Sequence, residues 1–544
     1  MRTDGHGVGR VASLALLLAA AGFLTGCNGS LFVQNQAYAP YAAPPGYTPD
    51  DTYYDLQWHY DLIDVPAAWA IMREAFSAGG PPRTPQTVRV AVIDTGIREH
   101  EDLDPSRLVD GYDIFAYDSD PTDPVFSQTK FHGTHVTGTL LATTANGLGV
   151  SGIGHTGASA LVEVLPIRAL STAGTSFDLA MAVLYAVGLD NLSGQLPSEP
   201  ASVINISLGQ TAAPNDRTLK DAIQAAVDAG ATVVAAAGND GDSFLRYPAM
   251  YDNTIAVGAI RRDGGIASYS NFSPSLDFVA PGGEVNDGVW STWEYPCSDP
   301  DGLFDEPIQG CSSGEFVDLY ATQAGTSMAT PHVAGVVALL YSYASELTQD
   351  VVYDILLASV DDAGDPGHDE FYGHGIVNAR AALEYLIRAT DDYGVAPILG
   401  DGTDGDGTAG DAAGDGGSAG TARAGSGPMG RPILQREGAF LPAAAANVGI
   451  DYDAGSVVLA LWEENLAPGE VAAARSIILD AIEGVTEIDG EDSQRLRARL
   501  VAGADPEEVI RDLAAHPEVR YAQPNYLYTV PAGRATPAAY PAGR

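Results

Sequence analysis

The chain has 544 residues, 45% of them hydrophobic, with 62 Gly and 34 Pro. That length exceeds one compact domain, at roughly 100–200 residues per domain, and that hydrophobic share excludes a wholly disordered chain. With 71 acids against 27 bases and a net charge of −44, nucleic-acid phosphate would repel it, which excludes a general nucleic-acid binder. The excess is uneven: residues 51–390 hold 45 acids and 14 bases, a net of −31 (14 − 45). A solvated secreted surface or a salt-adapted one accounts for most of it, and some acids are candidates for binding cations.

Arg2 and Arg10 frame the N-terminus, and Val11 to Leu24 is an apolar run. It is shorter than the about 20 residues that span a bilayer and has the shape of a signal-peptide core. It ends in Leu24-Thr25-Gly26-Cys27, which resembles the bacterial lipobox. That resemblance implies removal of residues 1–26, a lipid on Cys27, and an exported protein anchored to a membrane of the bacterial cell envelope. Residues 27–50, rich in Tyr, Ala, Pro and Gly, read as a tether. Of the three cysteines, Cys297 and Cys311 then remain, in a loop-like stretch. An exported compartment permits a disulfide there. A zinc site is the weaker reading, because no histidine stands nearby.

Val88 to Ile93 is a β-branched apolar run that predicts a buried strand, followed directly by Asp94-Thr95-Gly96. The carboxylate then sits at the carboxyl end of a strand, where open α/β sheets place their ligands. Aspartic proteases also use this tripeptide, but they need a second copy, which the chain lacks. Next comes His132-Gly133-Thr134-His135-Val136-Thr137-Gly138, in which small residues allow close helix packing and the two histidines also suggest a metal. Val233 to Ala237 is a second apolar strand, ending in Gly238-Asn239. A side-chain amide held at a strand end suits a developing oxyanion. Ser327, in Gly325-Thr326-Ser327-Met328-Ala329-Thr330-Pro331-His332, opens an apolar helical stretch, Val333 to Tyr341. At a helix N-terminus the backbone N–H groups and the positive dipole end face the serine oxygen, and an N-cap serine is the plainer role. The nucleophile elbow G-x-S-x-G is not matched, since Ala329 stands at its last position.

In this order, Asp, His, Asn, Ser, the motifs resemble the subtilisin-like serine proteases over about residues 47–390. Tyr47-Thr48-Pro49-Asp50-Asp51-Thr52-Tyr53-Tyr54 looks most like the thermitase branch, and Tyr372-Gly373-His374-Gly375-Ile376-Val377-Asn378-Ala379 is similar to the family's closing segment. The resemblance implies an α/β fold, a parallel sheet flanked by helices, in a protease domain at 51–390. It implies hydrolysis of peptide bonds in protein or peptide substrates through an acyl-enzyme. Ser327 is then the nucleophile and His132 the general base. Asp94 orients the imidazole, and the Asn239 side chain with the Ser327 N–H forms the oxyanion hole. Ser207, Leu208 and Gly209 match the segment beside the substrate, and Asp240 borders the specificity pocket, where it would favour a basic side chain. The resemblance also implies a calcium site using Asp51, Asp102 and Asn146.

Residues 391–430 read as a Gly/Asp-rich linker. The pattern of 431–530 predicts strands at 456–462, 485–488, 495–501 and 519–530, with helices at 468–483 and 506–515. This is a small α+β ferredoxin-like domain, βαββαβ. Its end, His516 to Val530, resembles the last strand of the inhibitor-type propeptides of the same proteases. In that family the module precedes the protease; here it follows. The resemblance implies an intramolecular inhibitor and chaperone whose last strand enters the active-site cleft, leaving 531–544 as a tail. A second reading, a catalytically silent surface lipoprotein that uses the fold for binding, is separated from the first by fluorophosphonate labelling of Ser327.

Overall fold

The structure, a computed structural model, describes residues 45–391 except 78–83, 125–130, 171–172, 192, 211–215 and 298–315. In the C-terminal part it describes 438–439, 452–461, 470–482, 484–489, 495–502, 504–516, 519–528 and 536–541. Cys27, Cys311 and nearly all of the 391–430 linker lie outside the described residues.

The run Val88–Asp94 forms β1, with all seven residues buried. A strand apolar on both faces belongs inside a parallel sheet covered by helices. It lies there: β2 (Tyr112–Asp113) and β3 (Val162–Arg168) lie on one side of it. β5 (Val203–Ile206), β6 (Thr232–Ala236), β7 (Ile255–Ile260) and β8 (Phe278–Pro281) lie on the other, in the order β2-β3-β1-β5-β6-β7-β8. The two-residue strand β4 (Gly174–Thr175) stands outside this sheet. The register pairs Asp94 with Arg168 at the carboxyl end of β1.

The helices of this part are α1 (Trp58–Leu62), α2 (Val65–Ala75), α3 (His132–Leu141), α4 (Ser176–Ala186), α5 (Arg217–Asp228), α6 (Thr326–Tyr343), α7 (Gln349–Ser359) and α8 (Ala379–Asp391). All 18 residues of α6 are buried, as expected of a helix apolar on every side. It starts at Thr326, with Ser327 at the helix opening, and runs through Pro331. Pro331 has no N–H to offer the Ser327 carbonyl one turn back. The Ser207 hydroxyl donates to that carbonyl instead, at 3.0 Å. A hairpin, β9 (Val289–Pro296) and β10 (Phe316–Gln323), covers α3. The Ser291 and Thr292 hydroxyls donate to the His135 and Thr134 carbonyls.

The C-terminal elements are β11 (Gly438–Ala439), β12 (Tyr452–Leu461), α9 (Glu470–Ala481), β13 (Val485–Asp489), β14 (Arg495–Leu500), α10 (Pro506–Ala515), β15 (Val519–Tyr528) and β16 (Thr536–Pro541). The order β15-β12-β14-β13, all antiparallel, is that of the expected βαββαβ plan, with β11 added beside β15. Side chains alternate between the faces of a strand. Val457, Leu459 and Leu461 pack with Ile478 and Leu513 in the module's own core. Val458 faces the other way and joins Tyr526 in the larger core, with Phe177, Leu219 and Ile223. The module's sheet thus lies between its own helices and α4 and α5 of the larger part. β16, which the sequence pattern did not suggest, pairs antiparallel with β10.

Candidate active site

Asp94 ends β1 and His132 opens α3. His132 Nδ1 lies 2.8 Å and 3.0 Å from the two Asp94 carboxylate oxygens, with Asp94 1% and His132 5% exposed. The Thr95 N–H donates to Asp94 Oδ1 at 2.7 Å, which fixes the carboxylate from its own chain. The glycine after His132 is required by space. A Cβ at Gly133 would meet the Gly96 carbonyl oxygen at 2.0 Å, so α3 can begin this close to β1 only without a side chain there. The metal reading of the second histidine is not borne by the geometry. His135 is fully buried and its Nε2 bonds the Val289 and Ala321 carbonyls, while burial pushes its pKa down to about 3.

Ser327 stands in the first turn of α6, 1% exposed. Its hydroxyl donates to the Ser207 carbonyl at 3.1 Å. Serine at 207 therefore bonds Ser327 twice, as hydroxyl donor and carbonyl acceptor. Ser207, Leu208 and Gly209 lie just past the end of β5, and Leu208 is fully buried. Asn239 follows Gly238, whose φ of +113° and a Cβ only 2.4 Å from Asn271 Nδ2 both demand glycine. Asn239 Oδ1 accepts from the Thr326 N–H and the Thr326 hydroxyl, both at 2.8 Å. Two donors on one oxygen assign the amide's orientation and leave Nδ2 alongside Gly325. Asp240, by contrast, is engaged. Arg246 donates to both its oxygens at 2.8 Å and holds its carboxyl below the usual range. Its charge is met within the protein, which removes the reason for expecting it to select a basic side chain.

Asp51, Asp102 and Asn146 converge on the 145–151 loop. Asp51 accepts from the Ala145, Asn146 and Gly147 amides and the Ser151 hydroxyl, and Asp102 from Asn146 Nδ2 and the Val150 amide. These are hard oxygen donors, the type calcium takes. A cation would enter by turning the Asn146 amide and displacing N–H groups that now hold the carboxylates. Burial, and then the charge of Asp51, push Asp102 up to about 7. Among the described residues no group of three or more His, Cys, Asp or Glu is placed to hold a metal.

The Subtilase family profile matches residues 86–375, which is more than half of the chain. The chain belongs to the subtilase family. Its fold and enzyme class are those of a subtilisin-like serine endopeptidase. An extracellular protease of Xanthomonas campestris is 36% identical over 372 residues, covering 62% of this chain and 57% of that protein. A thermophilic serine proteinase of a Bacillus species is 32% identical over 65% of this chain and 75% of its own length. Thermitase of Thermoactinomyces vulgaris is 31% identical and is covered in full. A protease of Pseudoalteromonas arctica, solved experimentally, aligns with 62% of this subtilase and 99% of itself, at 34% identity and a TM-score of 0.50.

Sequence motifs contained Ser207 and Thr326 but not the roles that hold this subtilase's site in place, Ser207 on Ser327 and Thr326 on Asn239, and they did not single out a buried Asp123 behind Thr95. Asp123 carries a faint signal, an acid in a turn-rich stretch ahead of His132.

Proposed function

We propose that this subtilase is an exported, lipid-anchored serine endopeptidase kept latent by its own C-terminal module. In this reading Ser327 attacks the substrate carbonyl, and His132 takes the hydroxyl proton and returns it to the leaving amine. Asp94, bonded to Nδ1, holds the imidazole so that Nε2 is the acceptor. Asn239 Nδ2 and the Ser327 N–H meet the oxyanion. Export is supported by the signal-like N-terminus and by the extracellular relative, and anchoring by Cys27. A disulfide between Cys297 and Cys311 suits that compartment.

Latency rests above all on how β15 meets the protease part. Helix N-termini carry N–H groups without intrahelical acceptors. Gln523 Oε1 accepts from the Arg217 amide at the start of α5, while its Nε2 donates to the N-cap Asp216. Asn525 Oδ1 accepts from the Phe177 amide at the start of α4. One strand thus caps two helices of its partner. Beyond the caps, Leu527 and Tyr528 pair antiparallel with Thr175 and Gly174 of β4, adding a strand to its edge. Arg497 adds the ion pair to Asp178 at 3.3 Å.

Two carboxamide caps, each contributing about 1 kcal/mol, set the size of the test. A separately expressed 431–544 fragment should inhibit a 28–400 protease. Gln523→Ala with Asn525→Ala should weaken that inhibition by roughly 30-fold. A fragment that does not inhibit, or one that inhibits equally well after both substitutions, removes the latency reading. Maturation would then cut the 391–430 linker, releasing the module while lipid retains the protease. Mass spectrometry of the mature protein reads both the cut and the lipid.

Subtilases are generally calcium-binding, and here calcium would serve the 145–151 loop as a structural ion. A carboxyl with a raised folded pKa binds more protons folded than unfolded. Without metal, Asp102 therefore makes the fold less stable as pH rises from about 4 to about 7. Calcium relieves that penalty. Melting temperature should be higher in millimolar calcium than in EDTA, and the gap wider at pH 8 than at pH 5. Equal melting temperatures at both pH values would exclude calcium at this loop.

A further inference from the structure

We propose that Asp123 is a positioning residue that holds the two members of the Asp94–His132 pair in register with each other. The inference rests on the triad reading and adds to it a residue outside the triad. Asp123 is 0% exposed. Its Oδ2 accepts from the Thr95 hydroxyl at 2.6 Å and from the Phe131 N–H at 3.0 Å. The Thr95 hydroxyl oxygen in turn accepts from the Gly133 N–H at 3.2 Å. The residues so tied are the neighbours of the reacting pair: Thr95 follows Asp94, and Phe131 and Gly133 flank His132.

Phe131 makes the tie consequential. It is a buried aromatic residue at φ +59°, in the left-handed region that a side chain of this size rarely adopts. It is also the residue before the first turn of α3, so its backbone sets the direction in which His132 leaves. Its own N–H is held by Asp123, which keeps the strained turn in place. The Asp123 backbone is itself fixed, its N–H donating to the Ile97 carbonyl and its carbonyl accepting from Arg98 Nη1. The carboxyl is buried at a cost. Oδ1 is buried without a partner, and burial, more than the nearby Asp94 charge, pushes its pKa up to about 7. A surface loop gains nothing from such a group, whereas a site needing two segments held to fractions of an ångström does.

The test is a double-mutant cycle on the full chain after release of the module, with turnover expressed per fluorophosphonate-titrated Ser327 so that unfolded or still-latent molecules do not count. Asp123→Ala should lower kcat by about 10- to 100-fold with KM within twofold, the range expected for a misplacement near 1 Å. Thr95→Val, which removes only the hydroxyl link, should lower kcat comparably, and the double variant should be no worse than the poorer single one. Asp123→Asn keeps an acceptor oxygen for both donors and should retain kcat within about threefold. Three results overturn the assignment: kcat per titrated site within twofold of the parent in both single variants, losses that multiply in the double variant, or an Asn variant as impaired as the Ala one. Should Asp123→Ala not fold, the Thr95→Val and Asp123→Asn pair decides alone, by impairment in the first and retention in the second. Failure of the triad reading looks different, since the parent protein would then take no label at Ser327 even after release of the module.

Discussion

Replacing Ser327 with alanine is expected to lower kcat by on the order of 10⁶-fold while leaving the fold intact. The size follows from the kind of step removed. Without the hydroxyl no acyl-enzyme forms, and only binding and the oxyanion donors act on a water molecule. The intact fold follows from local geometry. The lost atom makes one hydrogen bond, to the Ser207 carbonyl at 3.1 Å. The bond that supports the start of α6, from the Ser207 hydroxyl to the Ser327 carbonyl, does not involve it. His132→Ala should cost nearly as much, because the imidazole sits on Asp94 at 2.8 Å and, in the proposed mechanism, takes the Ser327 proton. The double variant should be scarcely worse than either single one, since groups that act as a unit lose their effect together. The measurement is kcat on a peptide substrate after release of the module, with melting temperature as the control. A Ser327→Ala protein within tenfold of the parent would remove Ser327 from the chemistry.

What could be read from sequence, and what could not, divides along one physical line. Asp94, His132, Asn239 and Ser327 were legible because each is fastened to a local pattern. A β-branched run ends at Asp94, and glycines are forced beside His132 and Asn239 by a 2.0 Å and a 2.4 Å approach. The module's main strands and helices were legible for the same reason, through the alternation of Arg with Leu or Ala in β14 and an Asp-Pro start to α10. The supporting contacts were not, because they depend on residues far apart in the chain. Nothing local marks Gln523 and Asn525 as caps for helices some 300 positions earlier. Asp240 reads as a pocket acid until Arg246 is seen to occupy it. β16 holds two prolines in six residues, a composition that argues against a strand; it pairs only along the edge of β10. The Ser207 hydroxyl that lets α6 run through Pro331 comes from another strand's end, so nothing local to the helix announces it.

Asn239→Ala should lower kcat by about 10²–10³-fold with KM little changed, the loss of one oxyanion donor. A donor is catalytically effective when it is already aimed, so that nothing need reorganise as charge develops. Asn239 meets that condition through two fixed ends. Its backbone follows Gly238 at φ +113°, and its Oδ1 is bound twice by Thr326, so the side-chain amide cannot turn over without breaking both bonds. Alanine, however, also leaves the Thr326 amide and hydroxyl without that acceptor. The stability cost is roughly 1–3 kcal/mol, which would blur a reading taken from activity alone. Asn239→Asp separates the two effects. The carboxylate keeps an acceptor for Thr326 and replaces the donor by an oxygen that repels the oxyanion. The Asp variant should therefore melt near the parent temperature yet lose at least as much kcat as the Ala variant. If instead the Asp variant turns over like the parent, the side chain serves only to fasten the start of α6, and the oxyanion is met elsewhere.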